Sequence, residues 1–161
     1  MLIALTLQVC CHSNVKVSFF ALDALRQMAS HFLEKEELAN FKFQKDFLRP
    51  FEYAMVHNAN VDARDMILQC FRQLIQARVA NLRSGWRTMF GVFSAAAKVL
   101  NERIAVAAFE MVKDLDRRHF GSIVVHGAFA DLAVCITDFC KISLYQKISV
   151  RHTVLGRALT P

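Results

Sequence analysis

Glycine and proline are scarce in this chain. Among 161 residues there are five glycines and two prolines, one of the prolines being the last residue. Sandwiches, barrels and glycine-rich phosphate loops need denser turn punctuation, so helices are the expectation. No G-x-G-x-x-G, P-loop, H-E-x-x-H, G-x-S-x-G or kinase signature occurs, which argues against an enzyme. Long apolar runs are also lacking: the opening MLIALTLQVCC has no basic residue ahead of it and is too short to cross a bilayer. It reads as a helix cut at a fragment boundary. Cysteines are present but form no C-x-x-C pair; Cys10, Cys11, Cys70, Cys135 and Cys140 sit in apolar surroundings and read as reduced core thiols of a cytosolic protein. Cys10, Cys11 and His12 could begin a zinc site, but no second pair with zinc spacing follows. The six histidines are dispersed, and Glu34, Glu36 and Glu37 read as a solvated helix end. No catalytic residue, metal or cofactor is predicted.

What is present is apolar mass and basic charge. The chain is 55% hydrophobic and 21% charged, enough to bury a core as one domain over 1–161. Its net charge of +6 is uneven, with residues 1–80 carrying 9 Lys or Arg against 8 acids and residues 81–161 carrying 11 against 6. A basic half attracts an anionic partner: a lipid surface, an acidic protein or nucleic acid.

The segment FKFQKDFLRPFE (41–52) concentrates both features. Phe43, Phe47 and Phe51 fall at i, i+4, i+8 and predict one buried helix face, whereas Lys42, Lys45 and Arg49 fall around the rest of the helix and stay hydrated. Because the aromatics are committed to the core, they are not free to stack on bases, and nucleic acid is not expected as a partner. Arg78, Arg83 and Arg87 bracket the turn ahead of another aromatic helix, whose Trp86, Phe90 and Phe93 share one stripe and predict core packing. Lys42, Lys45, Arg49, Arg83 and Arg87 are the candidate residues for an anionic membrane or an acidic GTPase surface.

An internal repeat organises the chain. NVKVSFFALDALRQM from Asn14, NVDARDMILQCFRQL from Asn60 and NERIAVAAFEMVKDL from Asn101 align, with apolar residues recurring at offsets 3, 8, 11 and 14. Those offsets make each copy an amphipathic helix, and the leading asparagine a cap. Starts 46 and then 41 residues apart match the period of HEAT or armadillo repeats. Partner helices are predicted at 1–11, 43–58, 84–99 and 126–142, with a last helix around 147–159. The fold class is therefore all-α, a HEAT/armadillo-like solenoid of about four helix pairs. Pro50 predicts a kink or a late start in its helix, and Ser84 a cap for the Trp86 helix.

The runs FLEKEELANFKFQKDFLRPFE (32–52) and ANLRSGWRTMF (80–90) resemble the region just downstream of the catalytic exchange domain in the large Golgi Arf guanine-nucleotide exchange factors, the brefeldin-A-inhibited group, and look closest to fungal trans-Golgi members. The resemblance spans roughly residues 9–150. It implies a non-catalytic regulatory domain, a fragment of a much larger protein, which helps bind activated Arf at the Golgi membrane, recruits the protein and relieves autoinhibition. Its implied partners are an activated Arf-type small GTPase, the anionic Golgi surface and other domains of the same factor, and its implied location is cytoplasmic with peripheral trans-Golgi association. The alternative allowed by composition and period alone is a generic HEAT-repeat adaptor or transport-receptor fragment binding acidic proteins.

Overall fold

The computed structural model describes residues 2–37 and 42–141. These residues form seven α-helices and no strand: α1 (Leu2–Cys10), α2 (Val15–Phe32), α3 (Gln44–His57), α4 (Val61–Arg78), α5 (Gly85–Ala97), α6 (Glu102–Val125) and α7 (Phe129–Lys141), with a 3₁₀ turn at Val79–Asn81 before α5. The helices stack in two layers. One runs α1, α3, α5, α7 and the other α2, α4, α6, each helix packing on its neighbours within the layer, with α1 on α2 and α5 on α6 across it. This is the solenoid that the repeat predicts, seen as three helix pairs plus α7. The helix expected at 147–159 lies outside the described residues.

The repeat columns explain the core. Leu22, Leu68 and Phe109 are buried, as are Leu25, Phe71 and Val112. Each helix of this layer begins on its predicted asparagine: the Asn14 side chain accepts from Lys16 N, that of Asn60 from Asp62 N and Ala63 N, and that of Asn101 from Ile104 N. Trp86, Phe90 and Phe93 are fully buried, with Phe93 edge-on to Phe71 and Phe71 edge-on to Phe51. These rings hold α3, α4 and α5 together, each burial contributing roughly 1.5–3 kcal/mol.

Five expectations are corrected. α3 starts at Gln44 and runs unbroken through Pro50, so Phe43 precedes the helix. Of the three phenylalanines only Phe51 is fully buried; Phe43 and Phe47 are half-buried and cluster with Phe32, whose ring stacks on Phe47 at 3.9 Å. α7 starts at Phe129, not at 126, because Gly127 at φ 72° ends α6: Ala128 N donates to Ile123 O and Gly127 N to Val124 O, the paired bonds of a Schellman cap. Among the cysteines, Cys10, Cys70 and Cys135 are buried and burial pushes their thiols up, to about 12, 11 and 12, but Cys11 is half-buried and Cys140 exposed. Finally, the Ser84 side chain makes no capping bond to α5 although it occupies the cap position; its hydroxyl is engaged elsewhere, as described next.

Candidate functional site

The helix turns fall on two edges of the stack, and buried or half-buried polar groups pin each of them. On the edge carrying the α1–α2 and α3–α4 turns, Asn58 is buried and donates through Nδ2 to Cys10 O and to Ser18 Oγ, both at 2.9 Å, while Ser18 Oγ donates to Cys10 O. The α1 carbonyl end, the start of α2 and the end of α3 are thereby tied at one point. Arg64 adds a second tie by donating from α4 to Met55 O and Val56 O at the end of α3.

On the opposite edge the organiser is Glu37. Its Oε1 accepts from Gln44 N at 2.9 Å and from Ser84 Oγ at 2.6 Å, and its Oε2 accepts from Ser84 N at 2.8 Å. One carboxylate thus serves the N-terminal ends of both α3 and α5, where the helix dipoles favour negative charge. Gln44, buried, extends the tie: its Oε1 accepts from Arg83 N and Gly85 N, and its Nε2 donates to Asn81 O. Glycine leaves room for this tie: a Cβ at Gly85 would lie 2.8 Å from Leu82 Cδ2 and 3.1 Å from Gln44 Oε1, and those side chains would have to shift. Glu34 and Glu36 are exposed, as a solvated helix end requires, but Glu37 is half-buried and structural, which corrects the reading of the acidic run.

The five candidate cations divide between this edge and a groove. Arg83 belongs to the edge: its guanidinium pairs with Glu36 at 3.8 Å and meets the His126 ring. Lys42 is exposed just ahead of α3. Lys45, Arg49 and Arg87 come together with Lys98, which the sequence reading missed, along a groove of about 710 Å³ over α5 between α3 and α7. α5 is recessed there because Thr88, Gly91, Ser94 and Ala95 face the groove; a Cβ on Gly91 would run into the Glu52 carboxylate. Small residues at three-residue spacing were the available sequence signal for the groove.

The groove is electrically mixed. Its four cations face Asp46, Glu52, Asp131 and Asp138. Lys98 Nζ pairs with Asp138 at 3.0 Å and Arg87 Nε with Asp131 at 3.8 Å, whereas the side chains of Lys45 and Arg49 form no ion pair within 4.0 Å among the described residues. Glu52 is half-buried, and desolvation raises its carboxyl above the ordinary value against the opposing pull of Arg49 and Arg87. Two cations without an ion pair among the described residues thus lie beside a carboxylate held partly out of water, in a groove lined by both signs of charge. No helix among the described residues is long and apolar enough to cross a membrane.

Residues 31–114 match the Mon2/Sec7/BIG1-like HDS family, a span that runs from the end of α2 through the Glu37 tie and the groove's α3 and α5 walls into α6. The chain is 45% identical over 140 residues, 87% of its length, to the ADP-ribosylation factor guanine nucleotide-exchange factor sec71 of Schizosaccharomyces pombe. It is 42% identical over 144 residues to sec72 of the same yeast, and 43% identical over 136 residues to human brefeldin A-inhibited guanine nucleotide-exchange protein 1. It spans only 8%, 8% and 7% of these relatives' lengths. In each of these relatives the matching region is thus a small part of the whole, and the chain belongs to the Mon2/Sec7/BIG1-like HDS family.

Proposed function

We propose that this chain is a non-catalytic regulatory module of a large Arf guanine-nucleotide exchange factor, one that helps bind activated Arf at the Golgi membrane and so recruits the factor and relieves its autoinhibition. The single observation that carries the reading is the family match across residues 31–114, which favours it over a generic HEAT-repeat adaptor. The groove supports it in chemistry. Lys45 and Arg49 have no ion-pair partner among the described residues, and Arg87 holds Asp131 at 3.8 Å with its guanidinium exposed, where such pairs contribute about 0–1 kcal/mol and exchange readily. With equal numbers of cations and acids, the groove suits a folded protein surface of mixed charge better than a uniformly anionic lipid sheet. In this reading Arf provides the specific contact and the membrane provides its concentration, with Lys42 and Arg83 beside the groove.

The test is liposome flotation of the chain on Golgi-composition vesicles carrying Arf loaded either with a non-hydrolysable GTP analogue or with GDP. Recruitment should be strong with the GTP analogue and weak with GDP. Equal recruitment in both nucleotide states contradicts recognition of activated Arf.

A further inference from the structure

The repeat gives each helix of the α2, α4, α6 layer the same stripe at offsets 3, 6, 10 and 14 from its capping asparagine. In α4 the stripe is Ala63, Met66, Cys70 and Leu74; in α6 it is Ile104, Ala107, Met111 and Leu115. Both are covered. Ala63 and Ile104 are 0% exposed, Cys70 and Leu74 2% each, Met111 7% and Leu115 1%, with Met66 and Ala107 packed against the same core. Met111 and Leu115 look toward α4, since they line the cleft between α4 and α6 together with Arg72 and Ile75. The stripe is therefore the surface by which each helix sits on the preceding helix of its layer.

In α2 the equivalent stripe is Val17, Phe20, Ala24 and Met28, and it is open: Phe20 is 79% and Met28 40% exposed, with Val17 and Ala24 half-buried. No helix precedes α2 in its layer among the described residues. We propose that this stripe seats one further amphipathic helix, docked on α2 as α2 docks on α4, and supplied by the same exchange-factor polypeptide from a segment upstream of this chain. Chain order and stacking order coincide throughout the described layer, which makes the occupant an upstream segment. The stripe extends over 12 residues, 17–28, whose ends lie about 16 Å apart at the helical rise of roughly 1.5 Å per residue, so the occupant needs about three turns with apolar residues at helical spacing.

Size decides between an intramolecular and a separate occupant. Four apolar side chains, two of them small, do not offset the loss of translational and rotational freedom when two free molecules associate. A tethered helix avoids most of that cost because its effective concentration is high. The relatives have room for such a segment, since a chain like this one spans 8% of sec71. The inference rests on the family reading but not on Arf recognition, which flotation measures separately.

The experiment uses full-length sec71 of Schizosaccharomyces pombe in which residues 14–141 of this chain replace the matching region, with the photoreactive amino acid p-benzoylphenylalanine in place of Phe20. A control carries it in place of the exposed Gln69. After illumination, mass spectrometry should find Phe20-site crosslinks in a single upstream segment with helical apolar spacing, at a yield unchanged by dilution and several-fold above the control. A crosslink that joins two copies and fades on dilution, one to a downstream segment, or a yield no higher than the control overturns the proposal. As a second readout, Phe20→Ser/Met28→Ser should leave the isolated chain's denaturation midpoint unchanged yet speed amide exchange in the crosslinked upstream segment of the hybrid by about tenfold or more. Unchanged exchange there likewise overturns it.

Discussion

The two edges of the stack reach the same end by different chemistry. Along one, asparagine caps recur at Asn14, Asn60 and Asn101, each serving its own helix through a bond to the next two or three residues. Along the other, Glu37 serves α3 and α5 at once, from a position outside both. The caps of the first edge are modular, so damage to one stays with one helix, and the tie that joins helices there, Asn58, is separate from them. The second is shared, so damage to one carboxylate loosens two helices and the turn between α4 and α5. The groove lies on the helices that this shared tie orients, α3 and α5, and a partner that reads the groove depends on their spacing.

The largest effect is expected at the shared tie. Glu37→Ala removes three hydrogen bonds to a charged acceptor and leaves Gln44 N and Ser84 N without it, at a cost of about 2–4 kcal/mol. Urea denaturation should show that loss, with Glu37→Gln, which keeps one acceptor oxygen, between the variant and the parent. A loss under about 0.5 kcal/mol would make Glu37 an ordinary surface acid and remove the contrast between the edges.

A modular cap should cost less. Asn60→Ala leaves Asp62 N and Ala63 N to water and should destabilise by about 1 kcal/mol, while Asn60→Asp keeps the acceptor and the stability. A cost matching that of Glu37→Ala would show that the caps are as shared as the carboxylate.

The smallest stability effect belongs to Glu52, and its sign depends on pH. Burial raises its folded-state carboxyl above the unfolded value, so between the two values the native state binds more protons than the unfolded one. Stability from this group therefore falls as pH rises through that window, starting near 4.5, and is restored below it. Glu52→Gln should be slightly more stable than the parent at pH 7 and equal to it in acid below the window. A variant less stable than the parent at pH 7 would mean that Arg49 and Arg87 outweigh the desolvation.

Features that repeat, or that obey helical spacing, were legible in the sequence. The three asparagines and their apolar columns stand at fixed offsets, and Trp86, Phe90 and Phe93 mark a stripe, so the solenoid and most of its core could be read directly. Glu37 could not be read in this way. Its partners lie 7 and 47 residues away and its neighbours Glu34 and Glu36 are exposed, so no local rule separates it from them. Phe43 misled because the periodicity was extended one residue past the true start of α3, and Phe47 because it pairs with Phe32 at the margin of the core. For the cations, spacing around a helix told which were hydrated but not which would meet. Lys45 and Arg49 join Arg87 and Lys98 only because α5 is set back between its neighbours, while Arg83 turns to Glu36 and His126.

The measurement that bears most directly on the account is Arf-dependent recruitment of a Lys45→Glu/Arg49→Glu variant whose fold is verified by circular dichroism and urea denaturation. Both side chains are exposed and form no ion pair among the described residues, so stability should match the parent within about 0.5 kcal/mol. Two lost surface pairs of up to about 1 kcal/mol each, with repulsion added, should weaken recruitment by Arf bearing a GTP analogue by about tenfold or more at physiological salt. A variant that folds like the parent and is recruited as well as the parent would contradict the claim that this groove, oriented by the Glu37 tie, reads the GTPase.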